Sequence, residues 1–302
     1  MKDGRTLAFG AVAVACVAGL AKRGGSRVVT PLGLEREAPI MDREHLCQPE
    51  VREATPYVRR AMAGKGKELG QGNFGRAVLV GGRLVKLPAD KDMHGRKWEI
   101  EGNNGLRMWF RHEAGTANEL HDIGIVPEVV YVEVEGQPAL VREYGEPLRR
   151  VTDADYVALE TGLMEIQQRG WDVSDELLVM RRKDGSLFIA DAGFWFKKKA
   201  SEFERWTPDW VGNLRRWVET WRPSLAGLMT FPVLENEVSL LKTEQKFTDL
   251  DRAKGKVDSK WDARMRERRL KLLGQIAKRQ SMGLPAPDMP PLGGGSSAKR
   301  RR

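Results

Sequence analysis

The sequence predicts an α+β fold: a five-stranded sheet carrying one helix, then a mostly helical body, a basic C-terminal helix and a disordered basic tail. Three observations carry this expectation. Between Lys67 and Tyr144, short apolar runs are set apart by glycines and turn residues, the texture of strands. From Asp153 onward apolar residues recur at helical spacing instead. Of 302 residues 41% are hydrophobic and nine are Trp, enough for a real core, while 31% are charged and demand a wet exterior. The length exceeds one compact domain, so one main body with appendages at both ends is expected.

Taken in order, residues 1–48 are an apolar segment and a linker. The run Leu7–Ala21 is flanked by Lys2, Arg5, Lys22 and Arg23. At fifteen residues it falls short of the roughly 20 needed to span a bilayer. Its length suits the hydrophobic stretch of a secretory signal, but no good small-x-small cleavage site precedes a polar start. Cys16, with Ala13 three residues before it, makes a poor lipoprotein box. A packed or interfacial helix is the other reading, and membrane contact through residues 7–21 stays open. Cys16 and Cys47 are the two cysteines, which excludes a disulfide framework or a thiolate zinc site and makes a reducing, cytoplasmic setting the expectation.

The main body is expected over residues 49–241. Val51, Ala54, Val58 and Met62 share one helical face, which predicts a helix from Pro49 to Ala63. Lys67–Leu69, Arg76–Val80 and Arg83–Leu87 read as strands, the last two joined by Gly81-Gly82, a strong hairpin signal. A helix is expected over Trp109–Ile123. Strands around Val129–Val134 and Ala139–Tyr144, joined through Glu135-Gly136-Gln137, complete the sheet. Asp153–Arg169 reads as a helix capped by Asp153, with Tyr156, Leu159, Leu163 and Ile166 inward. Leu177–Arg182 and Ser186–Ala190 form a hairpin around Lys183-Asp184-Gly185. The Trp-rich Phe194–Leu241 is expected to be helical, residues 242–280 a basic helical extension, and residues 281–302 a disordered tail ending in Lys299-Arg300-Arg301-Arg302.

Charge is distributed unevenly. Residues 243–302 hold 16 Lys or Arg against seven Asp or Glu, while the first 242 residues hold 35 of each sign. Any attraction to nucleic acid or an anionic surface is therefore assigned to residues 243–302. Within them Lys260, Arg264, Arg266, Arg268, Arg269, Lys271, Lys278 and Arg279 crowd one expected helix, with Trp261, Met265, Leu272, Leu273 and Ile276 as apolar partners. A partner-docking helix explains such a run most simply; nucleic-acid or lipid binding would weaken steeply with salt.

Gly70-Gln71-Gly72-Asn73-Phe74-Gly75 carries the sharpest chemical signal. It stands between two strands, whereas a dinucleotide-binding loop would open a helix after its third glycine. Glycines in a strand–turn–strand let the backbone lie close over phosphates, and Phe74 at the tip can shield them from water. Lys86 follows within an apolar strand, where a lysine needs a partner. Glu113 is the first choice for that partner and Glu119 the second. Asp191 ends the apolar run Leu187-Phe188-Ile189-Ala190 and precedes Ala192-Gly193, a good position for holding Mg²⁺ against nucleotide phosphates.

In this order, the residues from Leu69 to Phe196 resemble the protein-kinase-like superfamily, and its compact bacterial and small-molecule-kinase branches more than the regulated eukaryotic kinases. The resemblance covers a little under half the chain and implies a two-lobed fold that binds ATP and Mg²⁺. It makes Gly70, Gly72 and Gly75 the nucleotide loop, Lys86 the lysine on the α- and β-phosphates, and Glu113 its partner. Glu143-Tyr144-Gly145 resembles the hinge that bonds adenine through its backbone, and Asp191 the metal-binding aspartate. The catalytic loop departs from the family pattern: Gly170-Trp171-Asp172-Val173-Ser174-Asp175-Glu176 is shorter, lacks the family's His and Asn, and leaves Asp172 as the candidate for the aspartate that accepts the substrate proton. Asp175 or Glu176 would stand in as second metal ligand. Three functions follow as expectations. One is an ATP-dependent kinase acting on a protein or small-molecule hydroxyl. Another is a pseudokinase that binds nucleotide or serves as scaffold. The third is a phage or mobile-element structural protein whose basic end meets nucleic acid.

Overall fold

The computed structural model describes residues 48–72, 74–89, 104–198, 207–256 and 259–290. The Leu7–Ala21 segment, nearly all of the linker after it and the Lys299–Arg302 end lie outside the described residues. Among the described residues the fold is α+β, with a five-stranded antiparallel sheet and six α-helices. None of these helices is long and apolar enough to cross a membrane. The chain forms two compact units: the residues up to Leu148 with Val173–Lys197, and Arg149–Asp172 with the residues from Lys198 on.

In the first unit, β1 (Lys67–Gln71), β2 (Gly75–Val80), β3 (Arg83–Pro88), β4 (Val129–Val134) and β5 (Gln137–Glu143) lie in the order β1-β2-β3-β5-β4. Gly81 and Gly82 both take positive φ, so the β2–β3 hairpin turns where the sequence placed it. Side-chain alternation divides the sheet into two faces. On one, Val78, Val80, Val85, Leu87, Val132, Val134, Ala139 and Val141 pack against Val51, Ala54, Val58 and Ala61 of α1 (Pro49–Met62). The other face carries Leu84, Lys86, Tyr131 and Leu140, and α2 (Asn104–Leu120) packs against β4 and β5. α2 begins five residues before its expected start, because Gly105 in its first turn hides a period that Leu106 and Phe110 then continue; its expected last residues, His121–Ile123, form a 3₁₀ turn.

Asn118 fixes the far end of α2 by bonding both backbone groups of Val129, at 2.8 and 2.9 Å, and Arg111 reaches Glu133 on β4 at 3.1 Å. Short strands complete the unit: β6 (Glu146–Pro147), β8 (Val179–Arg181) and β9 (Leu187–Ile189) form a three-stranded sheet, and β10 is Trp195–Lys197. β7 (Trp171–Val173) lies where the chain passes from the second unit to the first.

The second unit contains α3 (Asp153–Gln168), α4 (Asp209–Trp221), α5 (Phe231–Ala253) and α6 (Ser259–Ser281). Thr152, not Asp153, caps α3: its hydroxyl accepts the Asp155 N–H while the Asp155 carboxylate accepts the Thr152 N–H, a reciprocal pair that the acidic residue next door obscured. The expected continuous helix over Phe194–Leu241 is instead β10, α4, a 3₁₀ turn at Pro223–Leu225 and the start of α5, because Pro208, Pro223 and Pro232 each favour a fresh helix start. The basic helix is likewise two helices. Gly255, at φ +68°, ends α5, and α6 returns antiparallel so that Trp261 reaches Thr248 and Arg268 reaches Glu244 and Glu237.

Part of the expected disordered tail is also packed. Leu284 is buried, Ala286 and Met289 lie against the α5–α6 core, and the Pro285 and Pro290 carbonyls accept from Arg279 and Arg269. At the centre of this unit Glu160 and Arg279 are both 0% exposed. The guanidinium lies 2.8 and 3.1 Å from the two Glu160 oxygens, and Glu160 also accepts the N–H of Phe231 at the start of α5.

Candidate functional site

The site-bearing face of the first unit is built around Lys86. On β3 it lies opposite Ala77 and Leu140, and its parity turns it away from the α1 core. Glu113 projects from the middle of α2, which Asn118 and Arg111 hold against β4. The ammonium lies 2.6 Å from Glu113 and 3.4 Å from Asp191. Glu119, the second choice, pairs instead with Lys197 at 2.9 Å.

Asp191 is held just past β9. The Ile189 N–H donates to the Ile125 carbonyl and the Ala190 N–H to the Leu178 carbonyl, and Asp191 itself accepts the Gly193 N–H at 3.0 Å. Gly193 fits because a Cβ there would lie 3.1 Å from both Asp191 Oδ1 and Trp109 Nε1.

One ammonium thus faces two carboxylates in a largely dry place: the side chains of Lys86, Glu113 and Asp191 are 15%, 3% and 35% exposed. Burial alone would lower the Lys86 pKa, but Asp191 and Glu113 outweigh it and hold it above the ordinary value. Burial and the Asp191 charge push Glu113 upward against the pull of Lys86. Burial would also raise Asp191, yet Lys86, the Gly193 N–H and Arg142 outweigh it and hold it below the ordinary carboxylate value.

The glycine-rich turn closes with the Gly72 N–H donating to the Gly75 carbonyl at 2.8 Å. Gly75 has a local reason to be glycine, since a Cβ would sit 2.8 Å from the Leu87 carbonyl. Gly70 and Gly72 have none, because the nearest atom to either Cβ position is 3.8 Å away or more. Their missing side chains leave room beside the backbone, as a closely approaching ligand requires. Phe74 stacks on Trp109 with centroids 4.7 Å apart and lies 5.8 Å from Phe194, which meets Trp109 edge-on at 4.8 Å. These three rings fill the loop end of the face; the sequence reading identified Phe74 but neither partner.

Glu143 pairs with Arg182 at 2.7 Å, which fixes the end of β5. Tyr144 is half-buried, and neither it nor Gly145 continues the strand. Gly145 has no room for a side chain: a Cβ would stand 2.5 Å from the Phe188 ring and 2.7 Å from Met180. Asp175 is half-buried and Glu176 exposed. Burial raises Asp175, and the charge of Asp191 adds to the rise, so these two carboxylates share one field. Among the described residues no three His, Cys, Asp or Glu are grouped to hold a metal. Two carboxylates suit Mg²⁺, which takes one or two from protein and the rest of its oxygens from phosphate and water.

Asp172 belongs to the second unit and is 0% exposed. Its carboxylate accepts from Lys198 Nζ at 2.5 Å and lies 3.2 and 3.4 Å from the Asp209 and Trp210 backbone nitrogens at the start of α4. It satisfies a helix N-terminus, where unpaired N–H groups and the helix dipole favour an anion. The chain matches no protein-family model and no curated protein. Its site is therefore read from its own residues.

Arg142 is one such residue that the sequence reading passed over. It is half-buried, stands 5.9 Å over the Phe188 ring, and lies in the field of Glu113, Asp191 and Glu143. Burial pulls its pKa down, with those carboxylates opposing, and a guanidinium stays charged regardless. An arginine at the end of an apolar strand reads as a surface residue until the register shows it on the Lys86 face.

Proposed function

We propose that this protein is kinase-like and binds a purine nucleoside triphosphate with Mg²⁺, ATP being the nucleotide that the resemblance implies. The observation that carries the reading is the Lys86–Glu113–Asp191 cluster, with its 2.6 and 3.4 Å contacts, on the sheet face next to the glycine turn. Lys86 would meet phosphate oxygens. Glu113 would hold the lysine in place, and Asp191 with Asp175 or Glu176 would bind the cation, which neutralises charge as a phosphoryl group moves. The reaction such a site serves is transfer of the γ-phosphate to a protein or small-molecule hydroxyl.

A second reading, a nucleotide-binding module without transfer, is favoured by one observation. The Asp172 carboxylate is wholly buried and committed to Lys198 and the start of α4, so it has no surface to offer an acceptor hydroxyl. For the third reading, three of the eight basic residues named on α6, Arg268, Arg269 and Arg279, are engaged inside the second unit, which leaves less charge for nucleic acid.

The test is thermal stabilisation by Mg²⁺–ATP and Mg²⁺–GTP, followed by transfer of labelled phosphate, in wild type, Lys86→Ala, Asp191→Ala and Asp172→Asn. Stabilisation that disappears in Lys86→Ala and Asp191→Ala is the expected result. Labelling by the wild type would establish transfer, and its loss in a folded Asp172→Asn would give Asp172 a part in it; binding without labelling supports the module. If neither nucleotide stabilises the wild type, the nucleotide reading is wrong.

A further inference from the structure

The Lys86 face carries a second cation whose hydrogen-bonding capacity is unspent. Among the described residues the Arg142 guanidinium makes no hydrogen bond and no ion pair, and it stands 5.9 Å over the Phe188 ring. The carboxylates around it are already engaged, Glu113 and Asp191 by Lys86 and Glu143 by Arg182. None of its nitrogens is both buried and unpaired, so water serves this half-buried fork until a ligand with matching acceptors displaces it.

Register shows which part of a ligand would reach it. Gly75 pairs with Pro88 and Ala77 with Lys86, so the glycine turn lies at the Pro88 end of β3. Lys86 faces Leu140, and Leu84 faces Arg142. Passing along β3 away from the turn, one therefore meets Lys86 first and then Leu84 with Arg142 beside it. Diagonal neighbours of this kind have Cα atoms about 7–8 Å apart. The loop end is filled by Phe74, Trp109 and Phe194. Phosphates held by the turn and Lys86 leave the nucleoside to run the other way, over Leu84 and toward Arg142.

We propose that Arg142 reads the base of the bound nucleotide and selects a 6-oxopurine, guanine or hypoxanthine, over adenine. The inference rests on the nucleotide reading above. Guanine and hypoxanthine present two adjacent acceptors, O6 and N7, that match the two parallel donors of a guanidinium. Adenine replaces O6 by an amino group, which would set N–H against N–H.

The experiment is a titration of the full chain with the Mg²⁺ complexes of GTP, ITP and ATP, in wild type, Arg142→Gln and Arg142→Lys, with the unliganded melting temperature of each as a check on folding. In wild type GTP and ITP should bind alike and at least about tenfold more tightly than ATP. Arg142→Gln should abolish or invert the preference, since glutamine suits the N6/N7 edge of adenine. Arg142→Lys keeps the positive charge but not the fork, so it should shrink the preference, and it carries the test if the glutamine variant fails to fold. Binding of all three nucleotides without preference in wild type overturns the base assignment and leaves the nucleotide site standing. An equal loss for all three in both variants also overturns it, marking Arg142 as a phosphate cation. Failure of any nucleotide to bind wild type removes both readings together.

Discussion

Each unit of this protein is organised around an ion pair, and the two pairs are built to opposite ends. In the second unit Glu160 and Arg279 are sealed from solvent. Every strong contact of the carboxylate is made inside the protein, from the guanidinium and from the first N–H of α5. In the first unit one ammonium is shared by two carboxylates at unequal distances, Asp191 remains 35% exposed, and Arg142 stands by with donors unspent. The first arrangement is closed and ties three helices together. The second is charge-balanced only with Arg142 included and keeps groups ready for a further partner. A buried ion pair is thus not one kind of object: what separates a weld from a site is whether solvent or a ligand can reach it, as it reaches Asp191 and not Glu160 or Arg279.

The largest effect should come from breaking the weld. Arg279→Ala or Glu160→Ala leaves a sealed charge alone and should cost about 3–5 kcal/mol of unfolding free energy in urea. A loss below about 1 kcal/mol would mean that water reaches the pair. Next is Lys86→Met, which strands Glu113 and should cost about 1–3 kcal/mol. This cost should depend on pH in a defined direction. The Glu113 pKa is already raised above its unfolded value of about 4.3, and it rises further once the lysine is gone. The folded state then binds the extra proton, so the stability of the variant relative to wild type should fall as pH increases from about 4.3 through the raised folded value. A difference that is flat, or that grows with pH, would show that Glu113 is not stranded. The smallest effect belongs to the aromatic contact. A double-mutant cycle of Phe74→Ala and Trp109→Ala should give a coupling of about 0.5–1.5 kcal/mol, and a value near zero would mean the glycine turn is not pinned.

Much of the first unit was legible in the sequence, because its signals are local. Gly81-Gly82 fixes a hairpin, and the alternation in Arg83–Leu87 puts Lys86 on the face opposite Val85. Lys86 and Asp191 were each named as a charged residue in or after an apolar strand and Glu113 as the lysine's partner, and the fold brings both carboxylates within 3.4 Å of the Lys86 ammonium. What stayed hidden was non-local. Arg142 acquires meaning only when β5 is paired with β3, and the partners of Phe74 lie on α2 and beyond Asp191. Asp172 fitted a loop position by order along the chain, but its environment depends on where α4 begins, and that lies beyond a proline and 37 residues on. In the second unit composition misled: a run of Lys and Arg read as an exposed stripe, while Arg279 is the most deeply buried of them and Gly255 marked a break that charge alone did not reveal.

The spacing of the weld also sets an order of events during synthesis. All the side chains that meet at Lys86 have been made once Lys197 is added, and the first unit can close. Glu160 has been made by then too, but Arg279 follows 119 residues after it. At ribosomal speeds of about 5–20 residues per second, the growing chain carries α3 with an unmatched carboxylate for roughly 6–24 seconds. During that interval the second unit is the part of the chain that needs protection from misassembly, and α6 is the stretch that completes it.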